Sequence, residues 1–348
     1  MASTTKLMTA YLTLRSLDPD DVVSAAPYQP GPAESLMKLT PGERVSVHDL
    51  LYGLLLASGN DAAVTLADAV SGSQQAFVAR MNRMARRLGL DETSYRDPIG
   101  FDHPGHHTSA NDLVELTEDL RRDPTFRRIV DTPSIDLTEG ERPRHIVNRN
   151  NLVRSVPWMN GVKTGYTDGA GYVLVGSGER KGVELISALL GAPSEAERDA
   201  GTLELLRYGL SLYHREQVIR PREHLASTAI RYSGTKIQLA AGEGVELTVR
   251  RDEDIEVKAT GVPAEIEGPI ARGERLGRAI VTVNGAREAA IPLVSTRSAN
   301  AASFMDRIDS ALPGSRAGAW GILGLGALAL VLLVAVAVAW VRQRGAEG

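Results

Sequence analysis

The chain has 348 residues, with 39 basic against 43 acidic side chains and a formal net charge of −4. With a pI near 6.0 it lacks the basic excess of a general nucleic-acid binder, so no nucleic-acid partner is expected. There is no cysteine, which excludes disulfides, thiolate metal sites and cysteine nucleophiles. The length predicts two soluble domains plus an appendage.

In chain order, residues 3–17 read as a helix with a mostly apolar body of Leu7, Met8, Ala10, Tyr11, Leu12 and Leu14. A Pro-, Gly- and Asp-rich stretch over 18–44 reads as loop with short strands at most. Ser46-Val47-His48-Asp49 resembles a capping box for a helix over 50–57. Ser58-Gly59-Asn60 breaks that helix, and 61–70 resumes it. Residues 74–88 form an amphipathic helix with Phe77, Met81, Met84 and Leu88 on one face, ended by Gly89. A loop-rich section over 91–108 leads to a helix at about 110–121. Two strand-like runs follow, 171–176 and 183–190, and a helix at about 195–213 closes the unit. Many helices with a few consecutive strands predict an α+β unit, helices packed on an antiparallel sheet.

From about 219 the segments 236–241, 245–250, 255–260, 278–283 and 289–295 are short and often alternating, and Asn284-Gly285 is a hairpin signal. This predicts a small all-β domain. The expected layout is a first domain over 1–216, a β-rich domain over 219–297, an Ala- and Ser-rich linker over 298–316, a transmembrane helix over 318–341 and a tail over 342–348. Between Arg316 and Arg342 no charged residue occurs, and a bilayer core takes about 20 helical residues. Trp320 and Trp340 stand near the two ends of the run, and Arg342 and Arg344 follow it, which places the tail in the cytoplasm. The expectation is a single-pass membrane protein with a lipid-embedded C-terminal helix and everything before residue 316 outside. No basic segment and apolar run opens the chain, so Met1 is expected to be an internal residue of a longer protein.

Three short motifs carry chemistry. Ser3-Thr4-Thr5-Lys6 puts a hydroxyl and an amine one helical turn apart on one face, where a neutral amine can take the hydroxyl proton. Ser58-Gly59-Asn60 sits at a helix break, and Lys163-Thr164-Gly165 lies just ahead of a strand. Read one at a time, Ser3 is an N-cap serine, Lys6 a solvated lysine, Asn60 a turn residue and Lys163-Thr164-Gly165 a polar strand entry. In this order and context the three belong together.

With their flanks, and with Asp97-Pro98-x-Gly100 and Pro104-Gly105-His106, these motifs make the chain resemble the D-alanyl-D-alanine carboxypeptidases, the low-molecular-weight penicillin-binding proteins. The likeness covers roughly 1–215, and more loosely the β domain through Gly268-Pro269-Ile270, Gly273-Glu274 and Pro292-Leu293-Val294. It implies the penicillin-binding, β-lactamase-like transpeptidase fold, and strands ahead of the serine motif that are absent from this chain, which puts edge pairing and burial of the first helix in question. It implies removal of the terminal D-alanine from a peptidoglycan pentapeptide, with β-lactams as covalent inhibitors and no cofactor or metal.

On that resemblance Ser3 is the nucleophile and Lys6 the base, its pKa lowered by burial and by the Lys163 cation. Ser58 relays a proton, and Asn60 holds the substrate's peptide bond. Lys163 and Thr164 suit the terminal carboxylate, and Gly165 lets substrate lie close along the strand. By analogy the N–H groups of Ser3 and Tyr166 form an oxyanion hole. Arg198 is a candidate to reinforce the carboxylate site, against the plainer reading of a surface arginine on a helix. Two rivals stand beside this: a lactamase or DD-endopeptidase using the same motifs, and a non-catalytic wall-binding protein. His103-Pro104-Gly105-His106-His107 looks like a metal cluster but has no paired carboxylates, and reads better as a loop histidine group. Arg86-Arg87 and Arg121-Arg122 read as solvated pairs at helix ends.

Overall fold

The computed structural model describes residues 1–138, 141–311 and 331–334. The chain divides into two compact units, Met1–His214 and Arg215–Gly348. The first opens with a 3₁₀ turn, Ala2–Thr5, and α1, Lys6–Leu14. Then come β1 (Val22–Ser24), β2 (Arg44–Ser46), α2 (Val47–Leu55), α3 (Asn60–Ser71), α4 (Gln74–Arg87), α5 (Ala110–Leu120) and α6 (Pro124–Asp131). A hairpin of β3 (Ser134–Leu137) and β4 (Arg144–Val147) leads through α7 (Asn151–Ser155) to β5 (Met159–Thr167), β6 (Gly171–Arg180), β7 (Val183–Ala192) and α8 (Glu195–Leu212). The last three strands form an antiparallel sheet in the order β5-β6-β7.

Helix α1 is the centre of the unit. Lys6 to Thr13 are all buried, which is how a helix that is apolar almost all round satisfies itself in a globular protein. Its neighbours are α2, α3, α4 and α5, and one continuous core joins Leu7, Met8 and Leu12 to Leu50, Leu54, Leu66, Phe77 and Phe126. The burial that the sequence put in question is therefore complete for this helix, although among the described residues β7 has only β6 as a strand neighbour. Helix starts follow side-chain capping: Ser46 accepts from Asp49 N–H, Ser73 from Ala76 N–H and Ser109 from Asp112 N–H. Ser46 caps the helix as expected, but α2 opens at Val47, three residues earlier than the apolar pattern indicates, and the Asp49 carboxylate bonds His48 Nδ1.

Lys163-Thr164-Gly165 precedes β6 as expected, and itself lies within a strand, β5, that the sequence reading does not mark. The strand is buried on both faces from Gly161 to Gly165, so it lacks the alternation that marks a half-buried strand. Helix α6 and the β3–β4 hairpin are also additions to the sequence reading.

The second unit carries β8 (Tyr213–Ile219), whose first residues begin in the first unit, then β9 (His224–Ile230), β10 (Lys236–Ala241), β11 (Val245–Arg250), β12 (Ile255–Thr260), β13 (Glu265–Ile266), β14 (Arg275–Val283) and β15 (Ala286–Ser295). Six strands form one sheet, β12-β14-β15-β10-β9-β13, over a core of Ile237, Leu239, Ala279, Val281 and Leu293. The β14–β15 hairpin turns at Asn284-Gly285, both with positive φ, 49° and 81°. Residues Phe304–Ala311 form α9. The transmembrane helix expected over 318–341 lies outside the described residues except for 331–334, which are helical. Among the described residues no helix is long and apolar enough to cross a membrane.

Candidate active site

Ser3 sits in the 3₁₀ turn that runs straight into α1, so Lys6 follows one tight turn later, where side chains three apart eclipse. Lys6 Nζ lies 3.0 Å from Ser3 Oγ, 2.8 Å from Asn60 Oδ1 and 3.0 Å from the Ile99 carbonyl oxygen. Its side chain is inaccessible to solvent. Burial brings its pKa down from the ordinary lysine value to about 7; Asp97, Glu34 and Asp61 act to raise it and Arg149 to lower it. A neutral amine has two N–H bonds and one lone pair. The Asn60 and Ile99 oxygens can only accept, so they take the two N–H bonds and leave the lone pair for the Ser3 hydroxyl.

The loop after α4 braces this turn from the other side. Asp97 accepts from the N–H groups of Ile99 and Gly100, which fixes the Ile99 carbonyl over Lys6. Gly100 has φ +112°, and a Cβ there would meet the Ala2 carbonyl oxygen at 1.9 Å, so only glycine lets the loop approach the Ser3 turn. His106 is buried. Its Nδ1 accepts from Arg96 N–H at 3.2 Å, so Nε2 carries the proton and donates to Thr5 Oγ1 at 2.9 Å, which in turn donates to Ala2 O at 2.9 Å. Burial pulls the imidazole pKa down to about 4, which keeps it neutral. The histidine group thus orders the first turn, with His103 3.1 Å from Asp97. Among the described residues no group of three or more His, Asp or Glu side chains is placed to hold a metal ion.

Ser58, Thr164, Gly165, Tyr166 and Arg198 line one cleft of about 620 Å³ together with Ser3. Ser58 is held at φ +61°, an uncommon conformation for a residue with a side chain, at the break between α2 and α3. Asn60 and Lys163 lie behind the cleft wall instead. Lys163 is 1% exposed and donates to the carbonyl of Thr164 at 2.9 Å. Its pKa is pulled well below the ordinary lysine value by burial first, then by Lys6, Arg149 and Arg198. The charges of Lys6 and Lys163 act on each other as the sequence reading expects, and Arg149, which faces the cleft, is a further cation that lowers Lys6.

Gly165 has a packing reason of its own within the chain. A Cβ there would meet Ser3 N at 2.8 Å, Val173 Cγ2 at 2.8 Å and Ala2 Cβ at 3.0 Å. The missing side chain makes room for the Ser3 backbone, so the strand and the nucleophile's turn pack directly. Tyr166 is exposed and stacks on Tyr172 with ring centroids 4.4 Å apart. Asp102 ties the end of β5 to the 97–107 loop by accepting from Thr167 Oγ1 at 2.7 Å and Gly169 N–H at 2.9 Å.

Arg198 is a buried arginine, with its side chain 4% exposed and bonded to Asp199 at 2.7 Å and Glu195 at 3.0 Å, so the surface reading does not hold for it. Nor does it hold for Arg121, which is equally buried and binds Asn160 O at 2.7 Å as well as Glu184; Arg122 and the Arg86-Arg87 pair are exposed. Sequence reasoning passed over Arg149 and Arg154 on the cleft rim and Glu34 behind Asn60. For Arg149 a signal existed in Asn148-Arg149-Asn150, where Asn150 caps α7 and both asparagines are buried.

The chain is similar to several known proteins. Residues 1–194 match the peptidase S11 family, D-alanyl-D-alanine carboxypeptidase. The chain is 30% identical over 313 residues to D-alanyl-D-alanine carboxypeptidase DacF of Bacillus subtilis (strain 168), covering 87% of this chain and 80% of that one. It is 33% identical to DacD of Salmonella typhimurium (strain LT2), covering 88% and 82%. Among solved structures, penicillin binding protein 6B from Escherichia coli superposes with a TM-score of 0.63 at 32% identity, over 84% of this chain and 86% of that one. The chain belongs to the D-alanyl-D-alanine carboxypeptidase family of serine peptidases.

Proposed function

We propose that this chain removes the terminal D-alanine from peptidoglycan stem pentapeptides through an ester on Ser3. The observation that carries this reading is the buried Lys6 amine, 3.0 Å from Ser3 Oγ and neutral above about pH 7. Lys6 takes the Ser3 proton as Oγ attacks the penultimate carbonyl, and the N–H groups of Ser3 and Tyr166 hold the oxyanion. The C–N bond then breaks, and the departing D-alanine nitrogen receives a proton through the Ser58 hydroxyl. Water hydrolyses the ester, with Lys6 again as base. Thr164 and Arg198, joined by Arg149, receive the terminal carboxylate, which suits guanidinium geometry. Asn60 anchors Lys6 and does not reach the cleft directly, so its role is to aim the base.

β-Lactams resemble the terminal D-alanyl-D-alanine dipeptide and acylate Ser3, leaving an ester that water removes slowly. A fluorescent penicillin labels the wild-type chain and not Ser3→Ala, and D-alanine is released from a pentapeptide. Folded protein that takes no label contradicts the assignment, and preferential cleavage of a crosslinked peptide favours an endopeptidase. The apolar run over 318–340 supports a single-pass anchor that holds the catalytic unit outside the membrane, with the 342–348 tail in the cytoplasm. A chain ending at residue 316 then leaves the membrane fraction on alkaline washing while the full chain stays.

A further inference from the structure

Glu34 has no part in the chemistry above, yet its carboxylate reaches that machinery through one hydrogen bond. It lies on the loop between β1 and β2, which is tied across the start of α3. Asn60 N–H donates to Ser35 O at 2.8 Å, and the Asp61 carboxylate accepts from Met37 N–H at 2.8 Å and Leu39 N–H at 2.9 Å. Glu34 accepts from Gly31 N–H at 2.7 Å and from the Tyr28 hydroxyl. Its Oε2 also accepts from Asn60 Nδ2 at 2.8 Å, and Asn60 Oδ1 accepts from Lys6 Nζ at 2.8 Å.

We propose that Glu34 is a positioning residue for acylation: by accepting from Asn60 Nδ2 it fixes which end of that amide faces Lys6. The two ends of a primary amide are nearly alike in shape and opposite in hydrogen-bonding sense, so the network decides the orientation. An ionised carboxylate offers only acceptors, so only the NH₂ end of Asn60 can face it. The carbonyl end is then turned to Lys6, where it takes one amine N–H, and Ile99 O takes the other. The lone pair is left for Ser3. In the flipped orientation Asn60 donates to Lys6, occupies the lone pair, and the base is blocked.

The charge state of Glu34 fits this task. Burial acts to raise its pKa, but the hydrogen bonds from Tyr28, Asn60 and Gly31, with the Lys6 charge, hold it below the ordinary carboxylate value. The charged groups facing Lys6 are Asp97 from the 91–108 loop, Arg149 ahead of α7, Asp61 on α3 and Glu34 itself, with Lys163 on β5 coupled to it. Because Glu34 raises the Lys6 pKa, its neutralisation moves the acid limb of acylation to lower pH, opposite to the direction expected from simple damage to the amine's burial.

The inference rests on Lys6 as the base, and the test separates the two. Acylation rates with a fluorescent penicillin are measured against pH, alongside melting temperatures, for full-length wild type, Glu34→Gln, Glu34→Asp and Lys6→Ala. The expected result is a loss of about 30-fold or more in Glu34→Gln, the size of one lost positioning contact, with the acid limb displaced to lower pH. Glu34→Asp keeps an acceptor-only group and stays within about fivefold of wild type, with its limb unmoved. Equal losses in the two variants, or a wild-type rate in Glu34→Gln, overturn the inference. Should Glu34→Gln not fold, Glu34→Asp decides alone, and a loss of an order of magnitude or more counts against it. A wild-type rate in Lys6→Ala breaks the base assignment instead.

Discussion

In the buried layer behind the cleft wall, the floor on which the site rests, Lys6, Lys163 and Asn60 are 0%, 1% and 5% exposed, while on the rim Arg149, Arg154 and Tyr166 face water. The floor groups have their polar atoms committed to one another, to backbone carbonyls, to Ser3 and to Glu34, so the environment sets the proton affinity of the two lysines. The rim groups are solvated, and their charges act on what enters. A basic side chain near the nucleophile thus serves as base where burial keeps it neutral, as at Lys6, and as anchor where water keeps it charged, as at Arg149. Arg198 stands between the two regions: it lines the cleft yet is buried and paired with Asp199 and Glu195.

The sharpest way to break that division is to remove the floor. Lys6→Ala is expected to slow acylation by a fluorescent penicillin at least ~10³-fold, as loss of a nucleophile's partner does elsewhere, while circular dichroism shows a folded chain. Next comes the packing that joins floor to strand. In Gly165→Ala the added methyl meets Ser3 N and Val173 Cγ2 at 2.8 Å, so the strand must back away from the nucleophile's turn. Acylation should fall about 10²-fold, and stability by about 1–3 kcal/mol in a melting experiment.

A rim substitution tests the other half. Arg149→Ala should lower kcat/KM by about tenfold for a substrate ending in a carboxylate, the worth of one charge-assisted hydrogen bond, and much less for its amide-capped analogue. Because Arg149 also lowers the Lys6 pKa, the same variant should shift the acid limb to higher pH. A limb that stays put separates rim from floor completely.

The smallest effect is on stability. Lys6 holds a proton less tightly in the folded chain, at about 7, than at its ordinary value of 10.5. Between those values the unfolded chain binds more protons, so this residue's contribution makes stability rise with pH across that window. The penalty for charging it is fully present below about 7. Melting temperatures of wild type and Lys6→Ala against pH should therefore approach a constant difference above the window and separate below it, whereas Arg149→Ala keeps the rise but begins it at higher pH, because Arg149 lowers the Lys6 pKa.

Much of the floor is legible in the chain because its residues sit in local patterns. Ser3 and Lys6 are one turn apart, Ser58 and Asn60 mark the break between α2 and α3, and Lys163 to Gly165 share β5. Their partners are not so marked. Ile99 contributes a carbonyl, which every residue has, and Glu34 sits in a Pro- and Gly-rich loop where an acidic side chain ordinarily meets water. Strand β5 escaped a periodicity argument because both its faces are buried. Helix α6 did carry a usable signal: Asp123 caps the N–H groups of Thr125 and Phe126, and Pro124 takes the first helical position. Arg121 looked solvated because its partners, Asn160 and Glu184, arrive from β5 and β7, far along the chain.

The central claim is that a buried, neutral Lys6 activates Ser3, and the pH dependence of the second-order acylation rate of Ser3 tests it most directly. The account predicts a rate that climbs about tenfold per pH unit on the acid side, levels off above a pKa of about 7, and is lost in Lys6→Ala. A limb at the ordinary lysine value of 10.5, or a rate indifferent to both pH and Lys6, would contradict it.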